Sequence, residues 1–61
     1  MGIQDNKATV LRYGSLVAQT RLETEEVKLS VLAKERAEIE QALGMTEEQI
    51  LARAREILTT L

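Results

Sequence analysis

The fold is decided at residues 43–50, which read LGMTEEQI and combine several independent helix signals. Gly44 suits the left-handed residue that ends a helix, since it has no Cβ to clash in that conformation. Thr46 is a good N-cap, and Gln49 completes a capping box three residues later. The two glutamates between them lie in the first helical turn, where the helix dipole favours negative charge. The stretch therefore predicts a turn between two helices.

The segment after this turn, about residues 47–60, is predicted to form a short helix with a single apolar stripe. Its apolar residues recur at the three- and four-residue spacing that places them on one face of a helix. They are Ile50, Leu51, Ala54, Ile57, Leu58 and Leu61. A helix of this kind is expected to pack against the rest of the protein on one side only.

The segment before the turn, about residues 7–43, contains no proline and one glycine, Gly14. The simplest prediction is one long helix, preceded by a flexible extension at residues 1–6. At a rise of about 1.5 Å per residue this helix would be about 54 Å long. A compact chain of this size has a radius of gyration of only about 10.5 Å. One chain cannot enclose such a rod, so a second chain is expected to cover part of it.

Two places offer an alternative in which the long helix is broken. One is Gly14, the single glycine of the segment. The other is residues 20–23, Thr20-Arg21-Leu22-Glu23, which have the form of a capping box and could start a fresh helix.

The composition of the chain is typical of a protein built from helices alone. Among the 61 residues there is no proline and one aromatic residue, a tyrosine. The predicted fold class is therefore all-α, a single domain formed by a hairpin of one long and one short helix. A chain this short buries only about 60% of its unfolded surface, and it has neither cysteine nor histidine for a disulfide or a zinc site. Oligomerisation is the remaining means of stabilisation.

A seam of heptad a and d positions runs along the predicted long helix, as in a coiled coil. Parallel pairing would place Glu25 against Glu25 and Arg36 against Arg36, which is repulsive. Antiparallel pairing brings Glu25 of one chain to Arg36 of the other, so that each charge is neutralised. We therefore expect an antiparallel homodimer or a four-helix bundle. Its predicted interface consists of Ala18, Leu22, Glu25, Leu29, Leu32, Arg36, Ile39 and Leu43.

A second apolar stripe lies about 160° around the same helix. Its main members, the candidate partner face, are Val10, Tyr13, Val17, Val27 and Val31. One interpretation is that the C-terminal helix covers this stripe and completes a four-helix assembly. The other is that part of the stripe stays exposed and binds a partner protein.

Catalysis is not predicted, because the chain lacks histidine and cysteine, the commonest tuned acids, bases and nucleophiles. Glu23, Glu25 and Glu26 form an acidic cluster, but their spacing spreads them around a helix and no histidine completes a di-metal motif. The sequence also lacks a glycine-rich phosphate loop and a dinucleotide fingerprint. We therefore expect no cofactor and no metal.

The predicted function is that of a small regulatory, adaptor or assembly protein, which acts by self-association and by helix-mediated protein binding. The alternative is a dimeric nucleic-acid-binding regulator, since small helical dimers often bind DNA. Against it, the final helix offers only Arg53 and Arg55 as cations, beside three glutamates. The sequence shows no membrane span, no signal peptide and no interfacial helix pattern, so a cytoplasmic protein without membrane partners is expected.

Overall fold

The computed structural model describes residues 6–60, and this part of the chain folds as three helices without strands. Helix α1 spans Lys7–Leu22, helix α2 spans Glu26–Leu43 and helix α3 spans Glu47–Thr59. The all-α prediction is confirmed. The predicted short helix at about 47–60 corresponds to α3. None of the three helices is both long and apolar enough to cross a membrane.

The side chain of Asn6 begins α1. Its Oδ1 atom accepts a hydrogen bond from the backbone N–H of Thr9 at 2.9 Å, which satisfies one of the amides that the first helical turn leaves open. Asn6 belongs to the segment predicted to be flexible, and the cap gives it a defined place. The other residues of that segment, 1–5, lie outside the described residues.

The prediction of one unbroken helix over residues 7–43 is wrong. Helix α1 ends at Leu22, and α2 begins at Glu26 after three residues that belong to neither helix. The carboxylate of Glu23 turns back onto this link, and its Oε1 atom accepts from the N–H groups of Thr24 and Glu25 at 3.0 and 3.1 Å. These bonds satisfy backbone donors that the interruption would leave unpaired.

Of the two alternative positions for a break, Gly14 is wrong, and residues 20–23 lie close to the observed break. Helix α1 passes through Gly14 without interruption. The break begins at Glu23, the last residue of the other proposed site, but Thr20 does not act as a cap. Its hydroxyl instead donates to the carbonyl of Leu16 within α1 at 2.7 Å, a bond that threonine commonly makes inside a helix.

The turn between α2 and α3 agrees with its sequence signals. Gly44 has φ of 64°, and its N–H donates to the carbonyl of Glu40 at 2.9 Å, which closes α2. The Thr46 hydroxyl accepts from the Gln49 N–H at 3.3 Å, and the Gln49 side chain accepts from the Thr46 N–H at 3.0 Å. Both halves of the predicted capping box are therefore confirmed.

Helix α1 lies at the centre of the fold and packs against both other helices, which make far fewer contacts with each other. The buried core of the described residues consists of Val10, Tyr13, Leu16, Val17, Ile39, Ile50, Ala54 and Ile57. Only Ile39 comes from α2, although α2 is the longest helix. The radius of gyration is 11.6 Å, somewhat larger than the roughly 10.5 Å of a compact chain of this length. The arrangement leaves much of α2 exposed.

Candidate interaction surface

Each of the two apolar stripes predicted for the long helix is buried on one side of the break and exposed on the other. In α1 the valine and tyrosine stripe is buried, since Val10, Tyr13 and Val17 all belong to the core. In α2 the continuation of that stripe faces solvent, with Val27 76% and Val31 53% exposed. The candidate partner face is therefore divided into a buried half and an exposed half.

The seam residues show the opposite pattern of burial, since those of α1 are exposed and those of α2 face the core. Ala18 and Leu22 in α1 are exposed, Leu22 by 84%. In α2 the seam faces the core, where Ile39 is buried. Leu29, Leu32 and Leu43 are half-buried, and the last two pack against the core.

The break explains this pattern, because it lets the chain fold back on itself. The leucine and isoleucine side of α2 then meets the valine and tyrosine side of α1, as Ile39 and Val17 in one core cluster illustrate. Helices α1 and α2 each have two apolar sides, and folding within one chain covers only one side of each helix. The exposed sides that remain are Ala18 and Leu22 on α1 and Val27 and Val31 on α2.

Both charged seam residues have partners within the chain. Glu25 is 3.7 Å from the Nζ atom of Lys28, one turn further along. The guanidinium of Arg36 is 2.9 Å from the Glu47 carboxylate at the start of α3. Its side chain is 23% exposed, and its Nε atom has no hydrogen-bond partner among the described residues. The expected pair between Glu25 and Arg36 of two chains stays a prediction.

Tyr13 joins the core to the polar surface of α2. Its ring is fully buried, and its hydroxyl donates a hydrogen bond to the Glu40 carboxylate. Burial raises the pKa of the Tyr13 hydroxyl, and the hydrogen bond to Glu40 and the charge of that carboxylate raise it further. Tyr13 is therefore part of the core and is not available to a partner, contrary to its placement on the candidate partner face.

A groove of about 590 Å³ lies between α1 and α3 and was not anticipated from the sequence. Its apolar lining comes from both helices, and Gly14 contributes a backbone surface without a side chain. A Cβ atom at Gly14 would lie 4.0 Å from the Cβ of Ala54, so the two helices approach closely there. The lining residues are Leu11, Gly14, Ser15, Arg21, Leu51, Ala54, Arg55 and Leu58.

The pattern of α3 contains a signal for this groove. Leu51 and Leu58 directly follow the buried residues Ile50 and Ile57, so they lie about 100° further around the helix. The apolar side of α3 is thus wider than the face that α1 covers, and Leu58 is 59% exposed. An apolar stripe this wide indicates that α3 has a second contact surface beside the one that α1 covers.

Two arginines, Arg21 and Arg55, also line the groove. Both are exposed, and within residues 6–60 neither forms an ion pair. Among residues 6–60, the groove has no acidic side chain in its lining. The groove is therefore apolar in its lining and positive in charge.

The exposed part of α2 carries charges of both signs, since Glu26 and Glu38 are exposed together with Lys28 and Lys34. Val27 and Val31 are one turn apart and share a face of the helix, and three carboxylates precede them. We call the exposed surface around Val27 and Val31 the α2 outer face. The hydrogen bond from the Glu25 N–H lowers the pKa of Glu23 against the opposing effect of burial, and the Thr24 N–H and the charge of Lys28 lower it further.

Within residues 6–60, no group of acidic side chains converges in a way that could hold a metal ion. The two features that stand out are the α1–α3 groove and the α2 outer face. Comparison with known protein families, with characterised proteins and with solved structures finds no match for the chain.

Proposed function

We propose that this chain is a small non-enzymatic assembly protein, which acts as an adaptor or regulatory module. It associates with itself and binds another protein through exposed helix faces. The proposal includes the antiparallel packing of helices from different chains, as in a helical dimer or four-helix bundle. Catalysis, cofactors and metals have no part in it.

The observation that carries this proposal is the poor burial of α2. This helix has 18 residues, and a helix of that length in water depends largely on packing for its stability. Within the chain, however, only Ile39 of α2 is buried, and Val27 and Val31 project from the other side. A second helix packed on that side would supply the burial that the chain does not supply by itself.

Replacing the two valines by threonine tests self-association, because threonine has nearly the same shape and helix propensity but is more polar. Sedimentation equilibrium of the Val27→Thr, Val31→Thr variant should show association roughly tenfold weaker than that of the natural chain. The matched control is Ser30→Thr, which introduces the same side chain at an exposed position of the same helix. Equal association of all three proteins would refute the role of the valines.

Capture from a lysate of the source cells separates protein binding from the nucleic-acid alternative. Partners that bind the immobilised chain through a protein surface should remain after nuclease treatment, and the valine variant should lose them. The nucleic-acid alternative predicts that nuclease treatment releases the partners. It also predicts that retention falls steeply with salt concentration, because phosphate contacts depend on counterion release.

A further inference from the structure

The link between α1 and α2, residues 23–25, lies in a poorly buried segment of the chain. From residue 18 to residue 31 no residue is buried. The core residues nearest to the link are Val17 on one side and Ile39 on the other. A segment with so few buried contacts opens at a lower cost in free energy than the rest of a fold.

The same segment carries most of the exposed apolar surface. The described residues expose four large apolar side chains, and three of them lie between residues 18 and 31. They are Leu22, which directly precedes the link, and Val27 and Val31, which follow it in α2. Packing within one chain leaves these three side chains in water, so a contact around the link would stabilise the protein.

The two connections between helices are held to different extents. In the turn after α2, Gly44 has a positive φ, Thr46 and Gln49 form a capping box, and Arg36 pairs with Glu47 across the turn. The α1–α2 link has no glycine or proline. Its backbone is extended at both ends, and the Glu23 carboxylate supplies its two side-chain hydrogen bonds. The link is therefore the connection that opens more readily.

The contacts that hold α1 in place do not depend on the link. Tyr13 donates to Glu40, the guanidinium of Arg12 is 3.2 Å from the carboxylate of Glu35, and α1 shares one core with α2 and α3. A second copy of the chain presents the same surface of α2 and α3. It can therefore receive α1 with the same charged and apolar contacts, as in the exchange of an identical element between copies.

The length of the link also favours exchange between copies. Three residues span at most about 10 Å, which is close to the distance between the axes of two packed helices. The link therefore has little slack when α1 and α2 of one chain pack together. Short connections of this kind favour the exchange of an element between copies over closure within one chain.

We propose that two copies of this chain exchange α1, so that α1 of each copy packs on α2 and α3 of the other. This inference rests on the proposed self-association and identifies its contact. The link is the hinge, and it straightens in the exchanged dimer. The two links then run past each other, and Leu22, Val27 and Val31 of both copies form a new apolar contact around them.

Cross-linking between α1 and α2 tests the exchange, because the chain has no cysteine of its own. The variant carries Arg12→Cys and Glu35→Cys, which replace an exposed ion pair of small energetic value. The dimer is isolated by size-exclusion chromatography and treated with a short bismaleimide, and its mass is measured after denaturation. Exchange predicts a product of two chains, since the cysteine of each α1 lies beside α2 of the other copy. At a dilution at which the chain is monomeric, the same reagent should give single cross-linked chains, which verifies that the two cysteines are within its reach.

A longer link provides a second test that leaves the core unchanged. Insertion of Gly-Ser-Gly-Ser-Gly after Thr24 gives α1 and α2 of one chain the slack to close. Sedimentation equilibrium should then show association on the order of tenfold weaker, and cross-linking should give mainly single chains. The matched control has the same insertion after Gly44, in the connection that is not the hinge, and should keep both the association and the two-chain product. Circular dichroism verifies that each variant is helical.

The outcomes separate the exchange from the broader proposal. If the isolated dimer yields single cross-linked chains, α1 stays with its own chain and the exchange is overturned, although self-association stands. Equal association of the two insertion variants would likewise rule out the link as the hinge. If the natural chain is monomeric at every concentration, the exchange and the proposed self-association both fail.

Discussion

Gly14 and Gly44 show that identical residues can have opposite roles in one chain. Gly44 has a positive φ of 64° and ends α2, whereas Gly14 lies inside α1. We expect Gly44→Ala to lower the free energy of unfolding by about 1 kcal/mol, because a Cβ is strained in left-handed backbone. Gly14→Ala should raise it by up to about 1 kcal/mol, because alanine favours the helix and the added Cβ meets Ala54 at an ordinary contact distance of 4.0 Å. Urea unfolding at one protein concentration measures both, and shifts in the same direction would contradict the account.

Tyr13 should make the stability of the fold sensitive to alkaline pH. Its pKa is raised in the folded state by burial and by its bond to Glu40, so the folded chain holds the hydroxyl proton more tightly than the unfolded chain. This contribution is complete below the unfolded pKa of about 10 and is lost as the pH rises above that value. Tyr13→Phe should remove this part of the alkaline loss, and should lower stability at neutral pH by about 1.5 kcal/mol.

Optical spectroscopy gives a direct measurement, since Tyr13 is the only aromatic residue of the chain. The absorbance of the ionised phenol should rise together with the loss of helical circular dichroism as the pH increases. A tyrosine that ionises near pH 10 while the helices remain intact would show that its hydroxyl is exposed to water.

The link between α1 and α2 depends on Glu23, which accepts from two backbone N–H groups. Glu23→Ala should accelerate amide hydrogen exchange at Thr24 and Glu25. Because these bonds lower the pKa of Glu23, its contribution is present above the ordinary pKa of a glutamate and is lost as the pH falls through the folded value. Glu23→Gln keeps an acceptor oxygen but does not titrate, so in that variant the protection of these two amides, measured relative to their intrinsic exchange rates, should no longer decrease with acid. Unchanged exchange in Glu23→Ala would refute this capping role.

Helix α3 is tied to α2 by the contact between Glu47 and Arg36 at 2.9 Å. Glu47→Gln should reduce stability by roughly 1 kcal/mol, because it leaves a partly buried guanidinium without its carboxylate. Glu48→Gln is the matched control, since Glu48 shares the first turn of α3 and its favourable dipole. Thermal unfolding should place the Glu47 variant below the Glu48 variant. Equal melting temperatures would mean that the ion pair adds nothing to the helix-dipole effect that both variants lose.

The two interruptions between helices differ in how far the sequence reveals them. The turn after α2 is encoded locally, since Gly44, Thr46 and Gln49 each have a residue-specific reason to be there. The break after α1 has neither glycine nor proline, and its capping residue is a glutamate that bends back onto its own link. A glutamate of this kind looks the same in sequence as one on the exposed side of a helix, so the break could not be predicted with its correct bounds.

At the level of the molecule, the apolar pattern predicted that more than one side of the helices would be covered, but not which side of each. Val17 and Val27 fall on one stripe of a continuous helix, yet the break buries the first and exposes the second. Folding within the chain thus decides where each stripe lies, and spacing alone does not contain that information. The groove was missed for the same reason, because its lining comes from two helices whose mutual position depends on the fold-back.

Because the molecule is small, burial of its exposed apolar side chains would matter for its stability. The described residues contain eight buried apolar residues, a small core for a chain without cysteine or histidine to form a disulfide or bind zinc. Leu22, Val27 and Leu58 are meanwhile each more than half exposed. Assembly would bury these side chains and enlarge the core across molecules.

Sedimentation equilibrium of the natural chain over a wide range of concentrations tests the central claim of self-association most directly. We predict a mass above the 6.8 kDa of one chain that increases with concentration, while circular dichroism shows an all-helical protein. A helical protein that remains at 6.8 kDa throughout that range would contradict it.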